Sequence, residues 1–152
     1  MRFVIVFCLV FWVGVFVLLN KCSANEWSIG YMAASWHKSS DYKCFNERRN
    51  YNEIQNGLYV KYKALTLGRY ENSKSGCAGA KYSNFIGLEA PLWSVGQVDF
   101  SVMGAIADGY PNDDDSDFGE YQPAASLNAQ WEIFKVFYGY KVAAISLQWD
   151  FK

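Results

Sequence analysis

The sequence predicts an all-β protein: an eight-stranded antiparallel up-and-down (transmembrane) β-barrel after an N-terminal signal peptide. Three observations carry this expectation. Apolar and polar residues alternate with a period of two through much of residues 25–152. The connections between alternating segments are long on one side and tight on the other. The single long apolar run lies at the N-terminus. The closing segment VAAISLQWDFK shows the alternation best: Ala143, Ile145, Leu147, Trp149 and Phe151 form one set, and Ala144, Ser146, Gln148, Asp150 and Lys152 the other. Successive side chains of a strand point to opposite faces, so this pattern reads as a strand with one apolar face. Such a strand, left at a sheet edge, invites aggregation, and barrel closure removes the edge.

The first element is residues 1–24. Arg2 precedes an apolar run from Phe3 to Leu19, and small residues stand at Cys22 and Ala24. A basic start, an apolar core and small residues before the cut describe a secretory signal peptide removed after Ala24. The competing reading of the run is an uncleaved membrane anchor. Attachment of lipid at Cys22 fits poorly, because Lys21 stands where a small residue is expected. Both principal readings export the remainder, 25–152.

Eight candidate strands follow, at about 27–38, 56–63, 65–72, 78–89, 96–109, 121–131, 134–140 and 142–152. In QVDFSVMGAIA, Val98, Phe100, Val102, Gly104 and Ile106 share one face, opposite Gln97, Asp99 and Ser101. In NGLYVKYK, Leu58, Val60 and Tyr62 oppose Lys61 and Lys63. The long connections are SSDYKCFNERRNYNEIQ, SKSGC and YPNDDDSDFGEY; the others are tight turns or a short link around Pro91 to Val95. Strands of this length cross a bilayer when tilted.

Alternation fits two barrels: a soluble one with the apolar face inward, and a membrane barrel with it outward. Three features favour lipid outside. Gln97, Asp99, Gln148 and Asp150 fall on the expected interior face. Aromatic residues gather near strand ends, as membrane-interface girdles do: Trp27, Trp36, Tyr110, Trp131, Trp149 and Phe151. The chain also closes on an aromatic strand.

Composition narrows the partners. The formal net charge is −1, which argues against nucleic acid, whose binding needs concentrated positive charge. Aromatics make up 18% of the chain and apolar residues 51%, yet the mean hydropathy is near zero, so the two kinds are finely interleaved. After signal cleavage Cys44 and Cys77 remain, either as a disulfide in an oxidising compartment or as two free thiols.

His37 is the one histidine. It ends the first candidate strand, and Asn72 and Ser73 end the third. Both strands run toward the long loops, so the three residues are candidates for one rim. A histidine beside a serine is the minimum for general-base or nucleophilic acyl chemistry. The plainer reading is a loop contact at a barrel mouth. NDDDSD, at 112–117, reads either as a solvated loop or as a holder of divalent ions, without the spacing of an EF-hand. Lys43 with the Glu-Arg-Arg run at 47–49 offers either a salt-bridged loop or contact with lipid phosphates.

Short motifs resemble one known family. SWHKSSDY, FNERRN, RYENS, AGAKY, QPAASLNAQW and AISLQWDFK, in that order, are similar to segments of the lipid A palmitoyltransferases of Gram-negative outer membranes and their small-barrel relatives. The resemblance spans most of residues 27–152. It implies an eight-stranded outer-membrane barrel, acting as a monomer, that moves an acyl chain from a phospholipid to lipid A without a metal or soluble cofactor. It also implies an essential histidine, aspartate and serine, which fall on His37, Asn72 and Ser73. Asn72 departs from the family's aspartate. A carboxylate stabilises an imidazolium, whereas a neutral amide only orients it; in a serine triad that exchange costs about ten-thousand-fold. Asp41 is the nearest alternative carboxylate in sequence.

Three functions follow as expectations. The first is acyl transfer to lipid A, with His37 as base, Ser73 as partner or nucleophile and Asn72 as orienter. The second is a non-catalytic outer-membrane barrel that binds lipid or a partner, or modifies a cell surface, as for a bacteriophage. The third is a soluble secreted lipid-binding barrel.

Overall fold

A computed structural model describes residues 27–39, 41–44 (backbone only), 47–74, 81–109 and 121–151. Residues 1–24, read from sequence as a signal peptide, Tyr110, the acidic run at 112–117, Cys77 and the side chains of Asp41, Lys43 and Cys44 lie outside the described residues. The chain is all-β, with no helix among the described residues. No helix there is long and apolar enough to cross a membrane, a statement that has no bearing on a β-barrel.

The strands are β1 (Trp27–His37), β2 (Asp41–Cys44), β3 (Glu47–Asn50), β4 (Ile54–Tyr62), β5 (Leu65–Glu71), β6 (Tyr82–Val95), β7 (Val98–Ala107), β8 (Gln122–Trp131), β9 (Phe134–Gly139) and β10 (Val142–Phe151). Eight close into an antiparallel barrel in the order β1-β10-β9-β8-β7-β6-β5-β4, and β2 and β3 form a separate hairpin within the first long loop. Trp27 pairs with Phe151, so the first and last strands seal the barrel and leave no edge. Three tight turns lie at the same end as these two residues. Each places its first residue at positive φ: Lys63, Gly96 and Glu132. The opposite end carries the long connections.

Two segments differ from the sequence expectation. Residues 91–95 are not a link but the lower part of β6, which the alternation placed at 78–89. Proline has no N–H to give a ladder, and a strand tolerates it at a bulge; the register indeed shifts between Pro91 and Trp93. The turn therefore falls at Gly96 and Gln97, so Gln97 is not an interior residue. The other difference is the β2–β3 hairpin, which falls within the stretch expected to be a long polar loop.

The faces are now resolved. On β10, Ala144, Ser146 and Gln148 are buried, while Ile145, Trp149 and Phe151 are exposed on the outer wall. On β4, Tyr59 is buried, while Leu58, Val60 and Tyr62 are exposed. The outer wall is thus apolar: Leu67, Ile86, Val102, Leu127 and Val136 are each exposed by about 40–50%. Soluble monomers rarely expose an apolar surface of this extent. Rings crowd its turn end: Trp27 with Tyr62, Trp93 with Phe100 and Trp131 with Phe134.

A bulge decides what enters the lumen. Both pairings of β1 shift register between Met32 and Ala34. An extra residue reverses the alternation, because side-chain direction has a period of two. Ser28 and Gly30 face inward below the bulge, and Ser35 and His37 face inward above it, with Trp36 on the outer wall. Had the alternation run unbroken from Ser28, His37 would point outward.

Candidate functional site

The lumen has two parts. The turn-end part is packed with polar side chains. Lys135, 1% exposed, donates from Nζ to both carboxylate oxygens of Glu89 at 2.7 and 2.8 Å and to Gln148 Oε1 at 3.0 Å. Lys61 lies 3.4 Å from the same carboxylate. Ser101 and Asn128 donate to Glu89 as well. Gln148 passes its amide on to Gln130 and Asp150, and Asp150 also accepts from Ser28. A buried charge is tolerable only when paired and hydrogen-bonded, and here the bonds form one connected set.

Tyr59 forms the upper surface of this plug. Its hydroxyl donates to Gln148 Oε1 at 3.1 Å and lies 3.1 Å from Ser146 Oγ. Its ring crosses Gly30, where a Cβ would come within 2.0 Å of the tyrosine Cζ. Only glycine lets the ring lie there. Phe85 and Phe137 meet the ring at 6.5 and 6.3 Å.

Against this aromatic layer lies a half-enclosed cavity of about 170 Å³, whose lining also takes in Glu89 and Lys135 of the plug. Small inward residues create it: Ala105 and Ala107 on β7, Ala124 on β8, Gly139 on β9 and Ala144 on β10. Met32, Met103 and Phe85 add apolar wall, and Ser35, Gln55, His37 and Ser73 supply a polar side. Gln55 donates to Ser35 Oγ at 2.8 Å and so is held against β1. The volume is close to that of an engineered cavity of ~150 Å³ that takes up benzene, so it suits an apolar segment on the order of six carbons.

His37 and Ser73 both line this cavity. The His37 ring stacks on Tyr51 with centroids 3.9 Å apart and planes 1° from parallel. Its Nδ1 is buried without a hydrogen-bond partner among the described residues. Asn72 is not brought into the site. It is fully buried; its Nδ2 donates to Ser83 Oγ and to the Gly109 carbonyl, both at 2.9 Å, and its Oδ1 accepts from Lys74 N–H at 2.8 Å. Asn72 therefore ties the β5–β6 connection to the end of β7. The side-chain oxygen closing a turn two residues on is usual asparagine chemistry.

Sequence reading missed three participants. Tyr51 sits in a loop and gives no periodic signal. Glu89 and Lys135 are 46 residues apart, and each is one charge inside an apolar strand. The available signal was parity: each occupies the face opposite its exposed apolar neighbours. At the rim, Asp108 follows β7, and hydrogen bonds from the Asn84 side chain and backbone hold its carboxyl below the ordinary range. Among the described residues no cluster of three or more metal-ligating side chains occurs.

Together these features define a class: a small closed β-barrel with an apolar exterior, a polar plug and a cavity at the loop end. Comparison with protein-family models, with curated proteins and with solved structures gives no match.

Proposed function

We propose that this chain is a monomeric outer-membrane barrel of a Gram-negative cell that takes the end of a lipid acyl chain into its loop-end cavity. The observation that carries the reading is the inverted distribution of polarity, with leucine, isoleucine and tryptophan on the outer wall and Glu89, Lys135 and Gln148 within. A soluble lipid carrier would need the reverse. Short turns at one end and long loops at the other agree with the same class of barrel.

A second reading adds chemistry at the same cavity: acyl transfer from a phospholipid to lipid A. One observation favours it: His37 and Ser73, expected from sequence to share a rim, line one cavity. His37 Nδ1 would take the Ser73 proton as Oγ attacks the ester carbonyl, and the departing lysophospholipid would carry that proton away. A lipid A hydroxyl would then receive the acyl group and return its proton to Ser73. Asn72 has no part in this scheme, since its amide is committed elsewhere.

Mass spectrometry of lipid A separates the readings. The full chain is expressed in a Gram-negative host lacking its own palmitoyltransferase, beside His37→Ala and Ser73→Ala. A gain of one acyl chain that disappears in both variants supports transfer. No gain from a folded, heat-modifiable barrel leaves lipid binding and discards the enzyme. A mature chain that is monodisperse without detergent overturns the membrane reading itself.

A further inference from the structure

The outer wall of β5 and β6 changes character within one register step. Toward the loop end, its cross-strand pairs run Leu65–Leu88, Leu67–Ile86, Arg69–Asn84 and Glu71–Tyr82. Ile106 of β7 stands beside Ile86 and extends the apolar side. The apolar wall therefore ends along a line at Arg69. At that line two cations meet one ring. The Arg69 guanidinium carbon lies 4.7 Å from the Tyr82 ring centre, and Lys81 Nζ lies 5.3 Å from it. Neither cation is in an ion pair among the described residues.

Two carboxylates stand close by, and each is engaged by an asparagine. Asp108 accepts from Asn84 N–H at 2.6 Å and from Asn84 Nδ2 at 3.0 Å. Glu71 accepts from Asn56 Nδ2 at 3.2 Å. The acids thus take their hydrogen bonds from amides; the Arg69 charge also favours the Asp108 carboxylate, but no hydrogen bond joins them and the guanidinium donors face outward to another partner. A ring at the edge of an apolar band, with basic side chains beside it, suits the headgroup level of a bilayer. Arginine in particular matches phosphate with paired N–H donors.

We propose that Arg69, Lys81 and Tyr82 form an outer-wall site for the phosphate of a membrane lipid, whose chains lie on Leu67, Ile86 and Ile106. The site is separate from the lumen cavity and rests on the membrane reading above. Its occupant is a lipid phosphate: the cations alone would serve a free phosphate, but the apolar strip directly below them serves only a chain-bearing ligand.

The test uses the full chain folded into phosphatidylcholine nanodiscs doped with phosphatidic acid. Lipids retained after release into mild detergent are counted by native mass spectrometry. Heat-modifiable gel mobility reports folding of every variant. Phosphatidic acid is expected to be retained over phosphatidylcholine, and Arg69→Gln and Lys81→Gln are each expected to weaken retention about five-fold. Lys141→Gln, at the β9–β10 turn, is expected to change nothing. Equal retention of the two lipids overturns the site, as does a loss in Arg69→Gln and Lys81→Gln no larger than in Lys141→Gln. Inorganic phosphate bound as well as the lipid overturns the lipid assignment. A chain that fails to enter the nanodisc overturns the membrane reading, and the site with it, and that result is read from mobility rather than from lipid count.

Discussion

At the turn end, the barrel strands send Lys61, Glu89, Asn128, Lys135 and Gln148 inward, and the lumen is filled. At the loop end the same strands send Ala105, Ala107, Ala124 and Ala144 inward, and the lumen is left open. The filled half is held by connected hydrogen bonds, so its members depend on one another. The open half holds His37 Nδ1, buried with no hydrogen-bond partner among the described residues, whereas Thr66 Oγ1, likewise without one there, lies opposite Lys61 in the filled half. Stability is therefore concentrated in one half and unfilled capacity in the other. The acyl-binding proposal uses this contrast: a hydrogen-bonded base beneath a space that could take a chain end.

The largest effect expected from breaking this contrast is at Lys135. Lys135→Met removes the closest cation from Glu89 and leaves the buried carboxylate with Lys61 at 3.4 Å. Losing one member of a buried pair costs about 3–5 kcal/mol, because the other charge stays behind. Urea unfolding of the barrel in lipid vesicles, followed by tryptophan fluorescence, would measure it. Glu89→Gln added to Lys135→Met removes the stranded charge and keeps acceptors for Ser101 and Asn128, so it should recover roughly half the loss or more. A single-variant loss below about 1 kcal/mol would mean that water already reaches Glu89, and the idea of a sealed base would fail.

An intermediate effect is expected at Asn72, which lies at the loop end yet is as fully bonded as the base. Asn72→Asp replaces Nδ2, the donor to Ser83 and to the Gly109 carbonyl, with a carboxylate oxygen. The new oxygen faces a carbonyl, and stranding buried polar groups costs about 1–3 kcal/mol. Lower stability in urea with no added acylation of lipid A is the expected pair of results. Unchanged stability would show that Asn72 turns freely toward the cavity.

Asn72 also shows where sequence reading stops. The alternation in 142–152 gave the outward set of β10 because a closed barrel leaves a strand only two faces, and one apolar face suffices to choose. Strand direction gave His37 and Ser73 a shared rim, but that His37 turns into the cavity depends on the bulge in β1, which no local pattern signals. Asn72 adjoins Ser73 in the chain, yet its bonds run to Ser83 and Gly109, distances of 11 and 37 residues that no local pattern encodes. The Glu89–Lys135 pair was hidden for the same reason. Pro91 misled in the other direction: proline reads as a strand end, and only the partner strand reveals the bulge that admits it.

The smallest effect is the sharpest comparison, because it sets one added carbon against three. Gly30→Ala places a Cβ 2.0 Å from Tyr59 Cζ, above the saturated base. Tyr59 cannot yield without breaking its contacts to Gln148 and Ser146, so overpacking should cost about 1–3 kcal/mol. Ala107→Leu adds three carbons where the side chain borders the 170 Å³ cavity. Here the new atoms fill space, and the change in stability should stay below about 1 kcal/mol in either direction. The same leucine should reduce lipid retained in the lumen, as native mass spectrometry would show, while retention that depends on Arg69 and Lys81 is unaffected. If Ala107→Leu proves as damaging as Gly30→Ala, the loop-end space closes in the folded barrel and cannot receive a chain. If it is silent in both stability and lipid retention, the cavity is open but unused, and the acyl-binding reading falls while the barrel stands.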